Sequence, residues 1–150
     1  MGDNATKALV DGLNGLLADH FALYLKTKNF HWHVTGPAFR DLHLLFDEQA
    51  AEIFAQVDII AERVRKNAAD TLTSVGSIAA KTKIADQDDS KLDAMEMVRQ
   101  LRDDNAALVM SLKALKEIAG DAGDNATDGL IDDWTDQAEQ RTWFLRSIAA

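Results

Sequence analysis

Apolar side chains recur at spacings of three and four residues along nearly all of this 150-residue chain, and a single proline interrupts them. A repeat close to 3.6 residues confines the chain to helices that each bury one face. The first stretch runs from about Thr6 to Val34, through Leu9, Leu13, Leu16, Leu23 and Phe30, and stops at Thr35-Gly36-Pro37, a strong helix breaker. A second covers about Ala38 to Asn67, a third about Ser90 to Ala119 and a fourth about Asn125 to Ile148. Roughly 22 residues, Ala68 to Asp89, separate the second from the third. A connection of that length usually carries structure or function of its own, and Ser74–Thr82 can form a short helix inside it. The tight first connection predicts an antiparallel hairpin, whereas the long one lets the third helix run parallel to the second. The expectation is an all-α, single-domain chain over residues 1–150: a four-helix bundle with one long crossover and a short extra helix between helices two and three.

Composition narrows the chemistry. Cysteine is absent, which excludes disulfides, thiolate metal sites and cysteine nucleophiles. The first residues, MGDNATK, lack the pattern of a secretory signal, and no apolar run approaches the roughly 18 residues of a membrane span. A cytoplasmic location, with nucleoid association as a variant, is therefore expected. The formal net charge of −9 disfavours a phosphate backbone as partner, because affinity for nucleic acid rests on Lys and Arg.

Five side chains of metal-ligand type stand out: His31, His43, Asp47, Asp58 and Glu62. His43 and Asp47 are four apart, as are Asp58 and Glu62, so each pair sits one turn apart on a common face. At about 100° per residue the four fall near 0°, 40°, 60° and 100°, a single stripe of the second helix. His31 approaches His43 across the Gly36 turn. Asp47 and Asp58, however, lie about 16 Å apart along the axis at 1.5 Å per residue, too far for one ion. Either these are two unrelated half-sites or a second subunit supplies the missing half. A two-fold contact pairing second helices antiparallel would generate two equivalent sites. Mixed imidazole and carboxylate donors suit iron and related divalent ions, with Zn²⁺ able to compete.

Between Lys28 and Glu62 the His31-Trp32 dipeptide, the Gly36 turn with Phe39, Leu42-His43, Phe46-Asp47 and Asp58-xxx-Glu62 resemble the signature region of the Dps family, the mini-ferritins of the ferritin-like superfamily. The resemblance covers essentially the whole chain. It implies a dodecameric shell with ferroxidase sites at two-fold interfaces. His31, His43 and Asp47 would come from one subunit and Asp58 and Glu62 from its neighbour. It further implies an oxidoreductase that oxidises Fe²⁺, preferentially with hydrogen peroxide rather than dioxygen, and stores ferric mineral in its cavity against oxidative stress. The chain contains no ExxH, so the in-bundle di-iron site of larger ferritins is not expected.

Three further features carry weaker expectations. Trp32 either serves electron transfer beside the iron, as the resemblance implies, or anchors the core as a buried aromatic. His20 reads as a satisfied core or interface histidine, and His33 as structural. Asp124, Asp128 and Asp132 repeat every four residues at the start of the fourth helix. They are expected to cap that helix or, as the resemblance implies, to line an iron-entry pore. Some relatives compact DNA through lysine-rich tails. Only Lys7 stands at the N-terminal end, ahead of Leu9, the first of the spaced apolar residues, so weak or absent DNA binding is expected, with a nucleoid-binding role as the alternative function.

Overall fold

The computed structural model describes residues 2–150, and these form five helices and no strand. They are α1 (Asp3–His33), α2 (Phe39–Lys66), α3 (Val75–Lys81), α4 (Ala94–Asp121) and α5 (Asn125–Ile148). Four of them make the bundle and α3 interrupts the crossover, as the spacing of apolar residues predicts. α1 ends where Gly36 takes φ +110°, a conformation that an L side chain tolerates poorly, and Pro37 then redirects the chain into α2. Leu13, Phe30, Phe46, Ile53, Leu101 and Trp134 are among the fully buried side chains that the four faces share.

Helix ends depart from the expected bounds for reasons of capping. The third long helix begins at Ala94 rather than near Ser90, because the Asp93 carboxylate accepts the Met95 N–H at 3.0 Å and fixes the first turn there. It continues past Gly120 to Asp121. Gly123, at φ +72°, turns the chain so that the Asp124 N–H reaches Ala119 O at 3.0 Å, a Schellman closure. Ser74 and Ser77 form a reciprocal capping box on α3.

A row of polar side chains on α1 holds the crossover. Asn14 donates to Asp70 O and accepts from the Thr71 hydroxyl. Asp19 accepts from the Thr82 hydroxyl and the Lys83 N–H, both at 2.8 Å. Lys26 donates to Ala85 O and Asn29 to Gln87 O, each at 2.9 Å. Sequence position rises in step on both sides, so the crossover travels alongside α1 and in the same direction. It carries the chain from the end of α2 to the opposite end of the bundle, and α4 therefore starts parallel to α2. This route satisfies polar groups that would otherwise be buried unpaired.

Candidate metal centre

His31 lies in the last turn of α1 and His43 in the second turn of α2, brought face to face by the Gly36 turn. Their rings stack at 3.9 Å between centroids with 13° between planes, and Phe39 stacks on the far side of His43 at 5.1 Å. His31 Nδ1 is 2.6 Å from His43 O, and His43 Nδ1 is 2.7 Å from His31 O. The exchange is reciprocal. A carbonyl oxygen only accepts, so each Nδ1 must carry the proton and donate it. In the neutral imidazole each Nε2 then bears the lone pair, which is the tautomer a metal ligand needs. One of these bonds also satisfies a carbonyl in the last turn of α1 that has no helical partner.

Asp47 joins this pair. His31 Nε2 is 3.8 Å from Asp47 Oδ1, and Lys28 Nζ lies 2.8 Å from the same oxygen. The hydrogen bond from Lys28 outweighs partial desolvation and, with the ammonium charge, holds the Asp47 carboxyl below its ordinary value. A cation at that oxygen would have to displace Lys28. Lys28 carries chemistry that its position, three residues before His31, signals only by proximity. Its ammonium also lies 5.9 Å from the centre of the Trp32 ring. Trp32 is 58 % exposed, so the buried-anchor reading fails within the subunit. His33 is exposed and bonded to Asn29.

Asp58 and Glu62 are exposed further along α2 and do not join the histidines. Among the described residues, no three His, Asp or Glu side chains of one chain come close enough to hold an ion. Both halves do open on one groove of about 790 Å³ along the α1–α2 face. Lys28, Asp47 and Asp58 line it together with Tyr24, Phe54 and Leu72. Phe54 is 45 % and Ile59 41 % exposed on the same stretch of α2.

At the start of α5 the three aspartates divide. Asp124 is the N-cap of α5: it accepts the Thr127 N–H at 3.1 Å, Asn67 Nδ2 at 2.9 Å and Arg63 Nη2 at 2.7 Å. Its side chain is 8 % exposed, so of the two roles expected for these aspartates Asp124 takes that of the cap. Asp128 and Asp132 are both paired with Lys116 of α4, the latter at 2.8 Å. Burial opposes the Asp124 charge, but the bonds from Thr127, Asn67 and Arg63 outweigh it and hold the carboxyl well below its ordinary value. A group so depressed contributes stability above its unfolded pKa and loses it on acidification. Asp124→Ala should therefore cost about 2–3 kcal/mol at neutral pH, from the lost cap and the stranded Arg63. Urea unfolding should show the difference shrinking once the pH drops below the ordinary value of 3.8. A difference independent of pH would show that the charge contributes nothing.

The comparisons with known proteins agree with this architecture. The ferritin-like domain family matches residues 10–150. The chain is 32 % identical over 136 residues to a DNA protection during starvation protein of Brevibacillus brevis, covering 91 % of each. The structure of Dps from Thermosynechococcus elongatus superimposes with a TM-score of 0.95 at 27 % identity, over 98 % of this chain and 93 % of that one. A Dps structure from Vibrio cholerae O1, described as a member of the ferritin-like diiron-carboxylate proteins, gives 0.93 at 27 % identity, over 100 % of this chain and 94 % of that one. The four-helix bundle with its long crossover is a ferritin-like fold. The chain belongs to the Dps family of mini-ferritins.

Proposed function

We propose that the protein is a ferroxidase and iron store whose reaction centre is assembled from two subunits. The observation that carries this is the reciprocal bonding of His31 and His43, which leaves Nε2 of both rings free as donors beside Asp47. On binding, Asp47 leaves Lys28 and closes on His31 and His43, so that these three hold the metal from one side while Asp58 and Glu62 of a two-fold neighbour close it from the other. The apolar groove between the two half-sites is the surface that the neighbour covers.

Fe²⁺ is the substrate. Two ferrous ions give up one electron each to hydrogen peroxide, two protons are taken up, and two waters leave. Passing both electrons to one peroxide avoids a hydroxyl radical, and dioxygen is the slower acceptor. The ferric product collects inside a homo-oligomeric shell of 12 subunits. The half-exposed Trp32 adjoins His31 and serves to pass an electron, while the Lys28 ammonium beside its ring makes the indole harder to oxidise. Zn²⁺ suits the same donors and should inhibit. The family's association with iron and stress protection supports this reading, as does a relative described as a diiron-carboxylate protein. A spin-trapping assay during peroxide-driven oxidation should detect no hydroxyl radical and a stoichiometry of two Fe²⁺ per peroxide. Radical yield equal to that of free Fe²⁺ would reject the reaction.

Iron enters past the start of α5, where Asp128 and Asp132 attract the cation and Lys116 competes with it. Asp128→Asn/Asp132→Asn should slow oxidation at limiting iron several-fold, and Lys116→Met should speed it. Stopped-flow traces identical in all three proteins would sink the entry route. Asp124 takes no part, being occupied as a cap. DNA binding is weak or absent given the net charge of −9, and a salt-resistant gel shift would overturn that. No helix among the described residues is long and apolar enough to cross a membrane, in keeping with the cytoplasmic location proposed here.

A further inference from the structure

His20 is fully buried in the middle of α1, about 16 Å along the axis from His31, and both its ring nitrogens face oxygen atoms. Nδ1 lies 2.9 Å from Leu16 O and Nε2 lies 2.7 Å from Gln56 Oε1. Gln56, itself 3 % exposed, gives its amide N–H to Gln137 Oε1 at 2.8 Å. Gln137 in turn gives its amide N–H to Asp133 Oδ2 at 2.8 Å, and Asp133 is exposed on α5. His20, Gln56 and Gln137 thus connect the bundle core to a surface carboxylate.

The direction of this chain follows from what each end can do. A carboxylate only accepts, so Gln137 must present its NH₂ to Asp133 and its oxygen to Gln56. Gln56 must then present its NH₂ to Gln137 and its oxygen to His20. The Leu16 carbonyl also only accepts. With both neighbours accepting, the complete set of bonds requires an imidazolium with two N–H donors. No assignment of amide orientation avoids this, because both terminal acceptors are fixed by chemistry.

A neutral ring cannot satisfy that arrangement. With Nδ1–H kept on Leu16 O, the bare Nε2 needs a donor, so Gln56 must turn its NH₂ toward His20. Gln137 must then turn its NH₂ toward Gln56 and its oxygen toward Asp133. Two acceptors repel there, and the exposed Asp133 swings into water at small cost. We propose that His20 is a buried proton-binding site wired through Gln56 and Gln137 to Asp133, so that gain or loss of its second proton reverses both amides and captures or releases that surface carboxylate.

The surroundings set the two states against each other. Burial pushes His20 below its ordinary value. The bonds to Gln56 and Leu16 oppose that, Arg141 of α5 adds to it, and Asp19 of α1 opposes it. Arg141 is partly offset by Glu52 of α2 at 3.2 Å and is bonded to Asn105 of α4. Asp104 of α4 is paired with Lys26 of α1 at 2.9 Å. Asp19 is engaged by the crossover and Glu52 by Arg141. Asp133 is the remaining carboxylate in hydrogen-bonded continuity with the ring.

The test reads His20 alone, in the full assembled protein, by hydrogen exchange at the histidine C2 position followed by mass spectrometry from about pH 4 to about pH 9. Asp133→Asn supplies an amide that can donate to Gln137, so it stabilises the reversed relay. It should lower the His20 proton affinity by ~10-fold, one pKa unit. Gln137→Leu cuts the relay and should lower the affinity in the same direction, and adding Asp133→Asn to it should change nothing more. Asp136→Asn removes a neighbouring surface charge outside the relay and should leave His20 within ~2-fold of wild type. Equal shifts from Asp133→Asn and Asp136→Asn would reduce the effect to surface charge and overturn the proposal. So would an Asp133→Asn protein that titrates like wild type, or a His20 that never titrates in this range.

Discussion

Replacing both His31 and His43 by alanine should lower peroxide-driven Fe²⁺ oxidation at least ~100-fold while leaving the helices intact. Loss of even one outer-shell partner of a metal ligand typically costs 10–100-fold, and here two proposed ligands vanish together. The rings are part-buried, stacked on each other and capped by Phe39, so their removal also opens a small gap at the hairpin end. Helical content checks that the gap is tolerated, and stopped-flow absorbance of ferric product reads the chemistry. Equal oxidation rates in variant and wild type would move the reaction elsewhere in the molecule. A His43→Gln variant separates the causes further. Glutamine can keep a bond to His31 O, yet it lacks the imidazole nitrogen.

Much of the candidate site is legible in the amino-acid sequence itself. That His43, Asp47, Asp58 and Glu62 share one stripe follows from helical spacing alone, because 3.6 residues per turn dictates which side chains align. Their grouping as one ligand set rests instead on the family resemblance. The same arithmetic gives the axial gap that separates Asp47 from Asp58. Spacing misleads at Asp124, however. A repeat of four places three aspartates on one face only if all three lie inside the helix, and Asp124 stands just before it, folded back onto the first turn and Arg63. The start of α4 departs from its expected place for the same reason. A side-chain cap at Asp93 decides where a helix begins, and periodicity does not register it.

Long-range polar pairing is not legible at all. Asn14, Asp19, Lys26 and Asn29 find their partners 56 to 64 residues away, and nothing in their local sequence distinguishes them from solvated residues. The burial of Lys26 against Asp104 likewise depends on which face the crossover covers. His20 is readable as a satisfied core histidine, but its line of contact through Gln56 and Gln137 to Asp133 depends on how α1, α2 and α5 pack together. The tautomers of His31 and His43 also emerge only from backbone geometry, since each is set by a carbonyl on the opposite helix.

The central claim is that one reaction centre needs two chains, and mixed assemblies test it most directly. Subunits carrying His31→Ala/His43→Ala lack the first half-site, and subunits carrying Asp58→Ala/Glu62→Ala lack the second. Each should be inactive alone. In a two-fold pair of the two kinds, one site combines both damaged halves and the other combines both intact halves. Co-expressed in equal amounts and assembled at random, half of all pairs are mixed, and one of the two sites in each is whole. The ferroxidase rate per subunit should therefore return to about one quarter of wild type. If every centre were built within a single chain, no intact site could form, and the mixture would oxidise iron no faster than its inactive parents.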